Sequence, residues 1–123
     1  MRKQFVVASM VFGLTACGAG VEKNAEYQDV NQLGAAYESA TGVACTETET
    51  DDDLDEFGWV YNNCGAHGQV MLFASDAKRD EIKRKNPLDE GQRWVQGKNW
   101  IVKAAQYDAE KVHEALGGEL LES

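Results

Sequence analysis

Gln69-Val70-Met71-Leu72-Phe73-Ala74 is an almost unbroken apolar run of strand length, set between the turn Gly65-Ala66-His67-Gly68 and the polar pair Ser75-Asp76. A strand that is apolar at both parities has to be covered on both faces, so this run predicts a central strand. Ser75 or Asp76 then caps a short charged helix, Ala77 to Lys85. Its acids lie early and its bases late, in accord with the helix dipole, and Asp80 with Arg84 and Glu81 with Lys85 form i,i+4 pairs. Asn86-Pro87 ends it. A strand at Gln92 to Gln96, a Gly97-Lys98 turn, a strand at Asn99 to Lys103, a helix from Tyr107 to Leu116, a Gly117-Gly118 stop and a short strand at Glu119 to Leu121 complete the order β-α-β-β-α-β. That order predicts an α+β domain with a ferredoxin-like unit over about residues 69–121.

Upstream, Val30, Leu33, Tyr37 and Ala40 recur at spacings of three and four, predicting a helix from about Ala25 to Thr41 that stops at Gly42. Val43 to Thr50 and Phe57 to Cys64 carry strand-forming residues on either side of the acidic stretch Asp51-Asp52-Asp53-Leu54-Asp55-Glu56. A hairpin turning between Leu54 and Asp55 sets Cys45 opposite Cys64, Thr48 opposite Tyr61 and Thr50 opposite Trp59. The expected disulfide is therefore Cys45–Cys64.

The chain begins with Arg2 and Lys3, an apolar run from Phe5 to Leu14, and Leu14-Thr15-Ala16-Cys17. The apolar run is too short to span a bilayer as a helix and has the layout of a secretory signal. Its end resembles the lipobox of bacterial lipoproteins. That resemblance implies a signal peptide over 1–16, cleavage before Cys17, and covalent lipid, such as palmitate, on Cys17 in place of any cofactor. Residues 17–24 then form a tether and 25–123 one extracytoplasmic domain. Gly18 to Asn24 reach no more than ~25 Å when extended, so a partner has to come close to the membrane.

Loss of Arg2 and Lys3 with the signal takes the net charge from −9 to −11. Nucleic acid and anionic lipid surfaces would repel such a body, so the expected partners are the membrane, through the lipid alone, and an envelope protein.

Further motifs are Phe73-Ala74-Ser75-Asp76 leading to Arg79-Asp80, Gly97-Lys98-Asn99-Trp100-Ile101-Val102 and Leu116-Gly117-Gly118. With the paired Cys45 and Cys64 they resemble a group of small secreted or lipid-anchored proteins of actinobacteria and their phages. The resemblance implies a fold and no particular chemistry. Glu81-Ile82-Lys83-Arg84-Lys85 departs from it, being mostly charged where that group has a more apolar helix.

The sequence contains no H-E-x-x-H, G-x-S-x-G, P-loop or G-x-G-x-x-G. His113 falls on the apolar face of the last helix with Ala109, Val112 and Leu116, His67 lies in a glycine-flanked turn, and Ser75 is a helix cap. The expected protein is not an enzyme. Asp51, Asp53 and Asp55 alternate like the first ligands of a calcium loop, but Glu56 stands where that loop needs glycine and Asn62 where it needs a bidentate glutamate, so a solvated loop is the expectation and no metal is assigned. Trp94 and Trp100 are candidate binding residues, because strand alternation sets at least one indole away from the main core. The function expected is a non-catalytic envelope interaction module. Two alternatives are an inhibitor of lysozyme or another wall hydrolase, since Tyr61-Asn62-Asn63-Cys64-Gly65 is loosely similar to the Y-x-C-x-x-G of one inhibitor group, and a protein that weakly binds calcium or a small ligand.

Overall fold

A computed structural model of the chain describes residues 22–47 and 53–121. The signal-like segment, Cys17, most of the expected tether, Thr48 and Thr50 of the expected pairs with Tyr61 and Trp59, and Asp51 lie outside the described residues. Helix α1 spans Val30–Thr41 and α2 Asp53–Phe57. Strands β1 and β2 span Trp59–Cys64 and Gly68–Phe73, and α3 follows at Asp76–Lys85. Strands β3 and β4 occupy Gln92–Gln96 and Trp100–Ala105, α4 Gln106–Leu116, and β5 Glu119–Leu121.

The strands form one sheet in the order β1-β2-β4-β3-β5, every neighbouring pair antiparallel. Alternation along the central strands sorts their side chains into two clusters. Val70, Leu72, Trp100, Val102 and Val95 face α1 and α4, where Leu33, Tyr37, Val112 and Leu116 meet them. Met71, Phe73, Ile101 and Trp94 face the other way, against Ile82 of α3. Residues 70–73 are therefore apolar at both parities because helices cover them on both sides.

The chain order β-α-β-β-α-β is present, but the sheet departs from the ferredoxin-like expectation. In that arrangement the last strand lies beside the first strand of the unit. Here β5 pairs with β3, and the place beside β2 is taken by β1. The two crossovers, β2-α3-β3 and β4-α4-β5, step the same way along the sheet from strands of opposite direction. They can share one hand only if their helices lie on opposite faces, and α3 and α4 do so.

Helix α1 is shorter than the expected Ala25 to Thr41. Asp29 caps it, its carboxylate accepting from Asn31 N at 2.8 Å, and Gly42 ends it in a left-handed conformation. The residues before the cap form an extended strap. Asn99 Nδ2 donates to Tyr27 O at 2.7 Å and Asn99 Oδ1 accepts from Tyr27 N at 3.1 Å, taking the bonds a longer helix would need. Trp100 Nε1 donates to Ala25 O at 3.0 Å, and the Tyr27 ring stands edge-on to Trp100. Asn24 N donates to Leu116 O at 2.8 Å while Asn24 Oδ1 accepts from Gly118 N at 2.9 Å. Asn24, expected at the end of a tether, is thus hydrogen-bonded to the folded domain.

Cys45 and Cys64 are disulfide-bonded and directly opposed. Thr46 N donating to Asn63 O at 2.8 Å keeps the expected register. The expected hairpin is otherwise corrected, since Cys45 makes only an isolated bridge and Asp53–Phe57 is a helical turn where the strand was to turn between Leu54 and Asp55. Gly34 of α1 makes room for the bridge, because a Cβ there would lie 3.2 Å from that of Cys45.

Two outcomes follow for stability. Replacing both Cys45 and Cys64 by alanine opens a loop of sequence separation 19 and should lower the unfolding free energy by about 3 kcal/mol in a urea titration, with reductant doing the same to the wild type. A Cβ at Gly97 would run into the indole of Trp100, which is fully buried. Gly97→Ala should therefore cost about 1–3 kcal/mol; a loss below ~0.5 kcal/mol would show that ring and turn are not packed together.

Candidate functional site

The residues singled out from the sequence do not converge. Asp55 and the backbone of Asp53 lie in α2, where positions two apart do not face one another as they do around a calcium loop. Among the described residues there is no group of three or more His, Cys, Asp and Glu placed to hold a metal ion. His113 is exposed, because the buried stripe of α4 is Ala109, Val112 and Leu116; it does not pack on the apolar face as its spacing implied. His67 is exposed in the β1–β2 turn. Trp100 is 0% exposed in the main core and presents no surface. Trp94 does lie away from that core, as alternation required, but α3 and Leu88 cover it and only 2% of it is exposed.

Two surface features emerge instead. The first is an aromatic row at the β1 edge of the sheet, on the face that carries α3. Alternation turns Val60, Asn62 and Cys64 toward α1 and leaves Trp59 and Tyr61 on the opposite face. Trp59 stacks on Tyr61 with centroids 5.2 Å apart and on its cross-strand partner Phe73 at 6.4 Å. Tyr61 remains 44% exposed, and Phe57, at the end of α2, is 56% exposed. Together with Thr46, Glu47 and Asn63, the rings of Phe57, Trp59 and Tyr61 line a shallow depression of about 360 Å³. The row is held from behind, since buried Asn62 donates to Asn31 Oδ1 on α1 at 2.9 Å.

The second is a cleft of about 720 Å³ between the last turns of α3 and the Pro87–Gln92 segment, floored by Pro87 and Leu88 with the largely covered Trp94 beneath. Lys103, the cross-strand partner of Trp94, holds its ammonium 5.7 Å from the indole centroid. Gln92 ties this end of β3 to the β1–β2 turn by donating to His67 O at 3.2 Å. The cleft therefore opens at the end of the domain opposite the strap.

The expected i,i+4 pairs on α3 are half realised. Lys85 meets Glu81 at 2.9 Å, and Lys85 and Lys78 together hold the Glu81 carboxyl below its ordinary range. Asp80 pairs with Arg79 at 3.1 Å, and Arg84 donates to the Asp80 main-chain oxygen at 3.4 Å.

Burial is the main cause that raises the Tyr27 phenol, with Glu22 adding to it. Burial, then the charge of Asp108, pushes Tyr37 up to about 12. These shifts stabilise neutral phenols inside the fold and do not poise a group for proton transfer near neutrality. Because the folded state keeps the Tyr37 proton to a higher pH than the unfolded chain, its contribution is full below pH 10 and lost as the pH rises toward about 12. Unfolding midpoints measured across that window should fall more steeply in the wild type than in Tyr37→Phe; equal slopes would contradict the assignment.

Comparison of the chain with protein-family models, with curated proteins and with solved structures finds no match in any of the three.

Proposed function

We propose that the chain is a bacterial lipoprotein, held through acyl chains on Cys17 at the extracytoplasmic face of the cell membrane, that acts by binding an envelope protein and not by catalysis. The observation that carries the binding part is the aromatic row of Trp59 and Tyr61 with Phe57 beside it. Two large rings stand in water at 44% and 56% exposure while a third fixes one of them by stacking. Rigid aromatic groups lose little conformational freedom on contact and dominate the energetics of protein interfaces. The sheet behind the row is ordered before any partner arrives, which keeps the entropic cost of docking low.

The lipobox at Leu14-Thr15-Ala16-Cys17 supports the anchoring part. No helix among the described residues is long and apolar enough to cross a membrane. Since the strap holds the chain from Asn24 onward, residues 18–23 alone form the spacer, and they reach about 20 Å when extended. A net charge of −9 on the whole chain supports a protein partner over nucleic acid or an anionic lipid surface.

One experiment tests both parts. Cells producing the full chain should incorporate labelled palmitate into it, and Cys17→Ser should abolish the label; persistence of label in Cys17→Ser would overturn the anchor. The same full chain, solubilised in mild detergent and mixed with envelope extract and hen lysozyme, should retain a membrane protein and leave lysozyme active. In the double variant Phe57→Ala, Tyr61→Ala that capture should fall by about tenfold or more. Retention of lysozyme with loss of its activity would replace this reading by that of a wall-hydrolase inhibitor.

A further inference from the structure

The charged helix α3 is not uniform. Lys78 and Lys85 both pair with Glu81, at 3.1 and 2.9 Å, and Arg79 spans Asp76 and Asp80 at 3.2 and 3.1 Å. Lys83 and Arg84 have no carboxylate within 4.0 Å among the described residues. Lys83 Nζ donates to Gln96 Oε1 at 3.1 Å, and Arg84 reaches only a main-chain oxygen. Both of these side chains line the cleft above Trp94, and the paired cations do not.

Asp89 and Glu90 line the same cleft from the loop on its other side. Neither carboxylate meets a cation within 4.0 Å among the described residues, and the hydrogen bond from Asp89 to Gln92 Oε1 uses its main-chain N–H. Asp80 also lines the cleft from α3, its carboxylate taken up by Arg79 at 3.1 Å, so two unpaired cations and two unpaired carboxylates share one cavity without closing on each other. Between them lies an apolar floor of Pro87 and Leu88, beneath which the Trp94 indole is 2% exposed. A volume of about 720 Å³ lies within the ~300–1,000 Å³ usual for small-molecule sites.

A ligand complementary to this arrangement has an apolar body with a negative group at one end and a positive group at the other. A simple anion would satisfy Lys83 and Arg84 but meet Asp89 and Glu90, and a simple cation would have the reverse conflict. A single amino acid carries both charges on one carbon and would fill only a small part of the 720 Å³ cleft, so a longer zwitterion is the better match. We propose that the cleft binds a short apolar peptide with free termini, its carboxylate on Lys83 and Arg84, its ammonium on Asp89 and Glu90, and its side chains over Pro87 and Leu88. The site is separate from the aromatic row and stands whether or not that row binds a protein.

The test uses the full chain with its disulfide formed and three probes: trileucine, N-acetyl-trileucine and trileucine amide. Binding is read from tryptophan fluorescence and from amide shifts in two-dimensional NMR. Trileucine should bind with a dissociation constant below about 1 mM, and removing either terminal charge should weaken it by about tenfold. In Lys83→Gln, Arg84→Gln the advantage of trileucine over its amide should vanish. In Asp89→Asn, Glu90→Gln its advantage over the N-acetyl form should vanish. Unfolding curves check that these variants of solvent-facing side chains keep the fold. No binding up to about 10 mM, equal binding of all three probes, or a terminal preference that survives in the matching variant would each overturn the proposal.

Discussion

Burial of the β2–β4 ladder on both faces is the constraint on which the rest of the molecule depends. Val70 opposite Val102, Met71 opposite Ile101 and Leu72 opposite Trp100 bring apolar side chains to both sides of one strand pair. Neither face can be left to water, so helices have to be supplied to each. The chain does so with two crossovers of the same hand, and the strand order follows. With α3 on one face and α4 on the other, β5 is carried outward beside β3 instead of returning to β2. The vacant edge of β2 is taken by β1, which the disulfide links to the segment after α1. On that edge Trp59 still packs against the cluster under α3, while Tyr61, one step further along β1, is left exposed.

Features set by neighbouring residues were legible in the sequence. The Ser75 cap, the Gly42 and Gly117 stops, the bounds of β3 and β5, and the pairing of Cys45 with Cys64 all follow from local chemistry or from a register that both sheet faces accept. Features set by distant residues were not. Nothing near Glu26 forbids a helix; what holds this segment extended is the carboxamide of Asn99, 72 positions from Tyr27. The partner of β5 depends on which face receives α4, and no local pattern records that. His113 shows the limit of helical spacing, because Val112 and Leu116 take the buried stripe and their neighbour is rotated into solvent.

The candidate sites were legible in the same partial way. Strand alternation separates Trp94 from Trp100, and the two indoles do lie on opposite faces. Alternation says nothing of how deeply each is covered, and that depth moves attention from Trp94 to Tyr61 and Phe57. The basic cluster on α3 reads in one dimension as an ion-paired, solvated surface. Folded, it divides into cations already neutralised on the helix and cations turned toward a cleft whose opposite wall is built from the following loop. Only the fold brings those two walls together.

The strap also determines how the domain would bear load. A pull applied through the residues before Asn24 enters the fold at the Asn24 bonds to Leu116 and Gly118, and passes next to Ala25 on the Trp100 indole and to Tyr27 on Asn99. These contacts are few and sequential, so they would yield one after another, like a peel, before tension reached the ladders of the sheet. The strap would act as a mechanical fuse. It could lengthen the reach of the domain by several residues under force while the disulfide, the aromatic row and the cleft stayed intact.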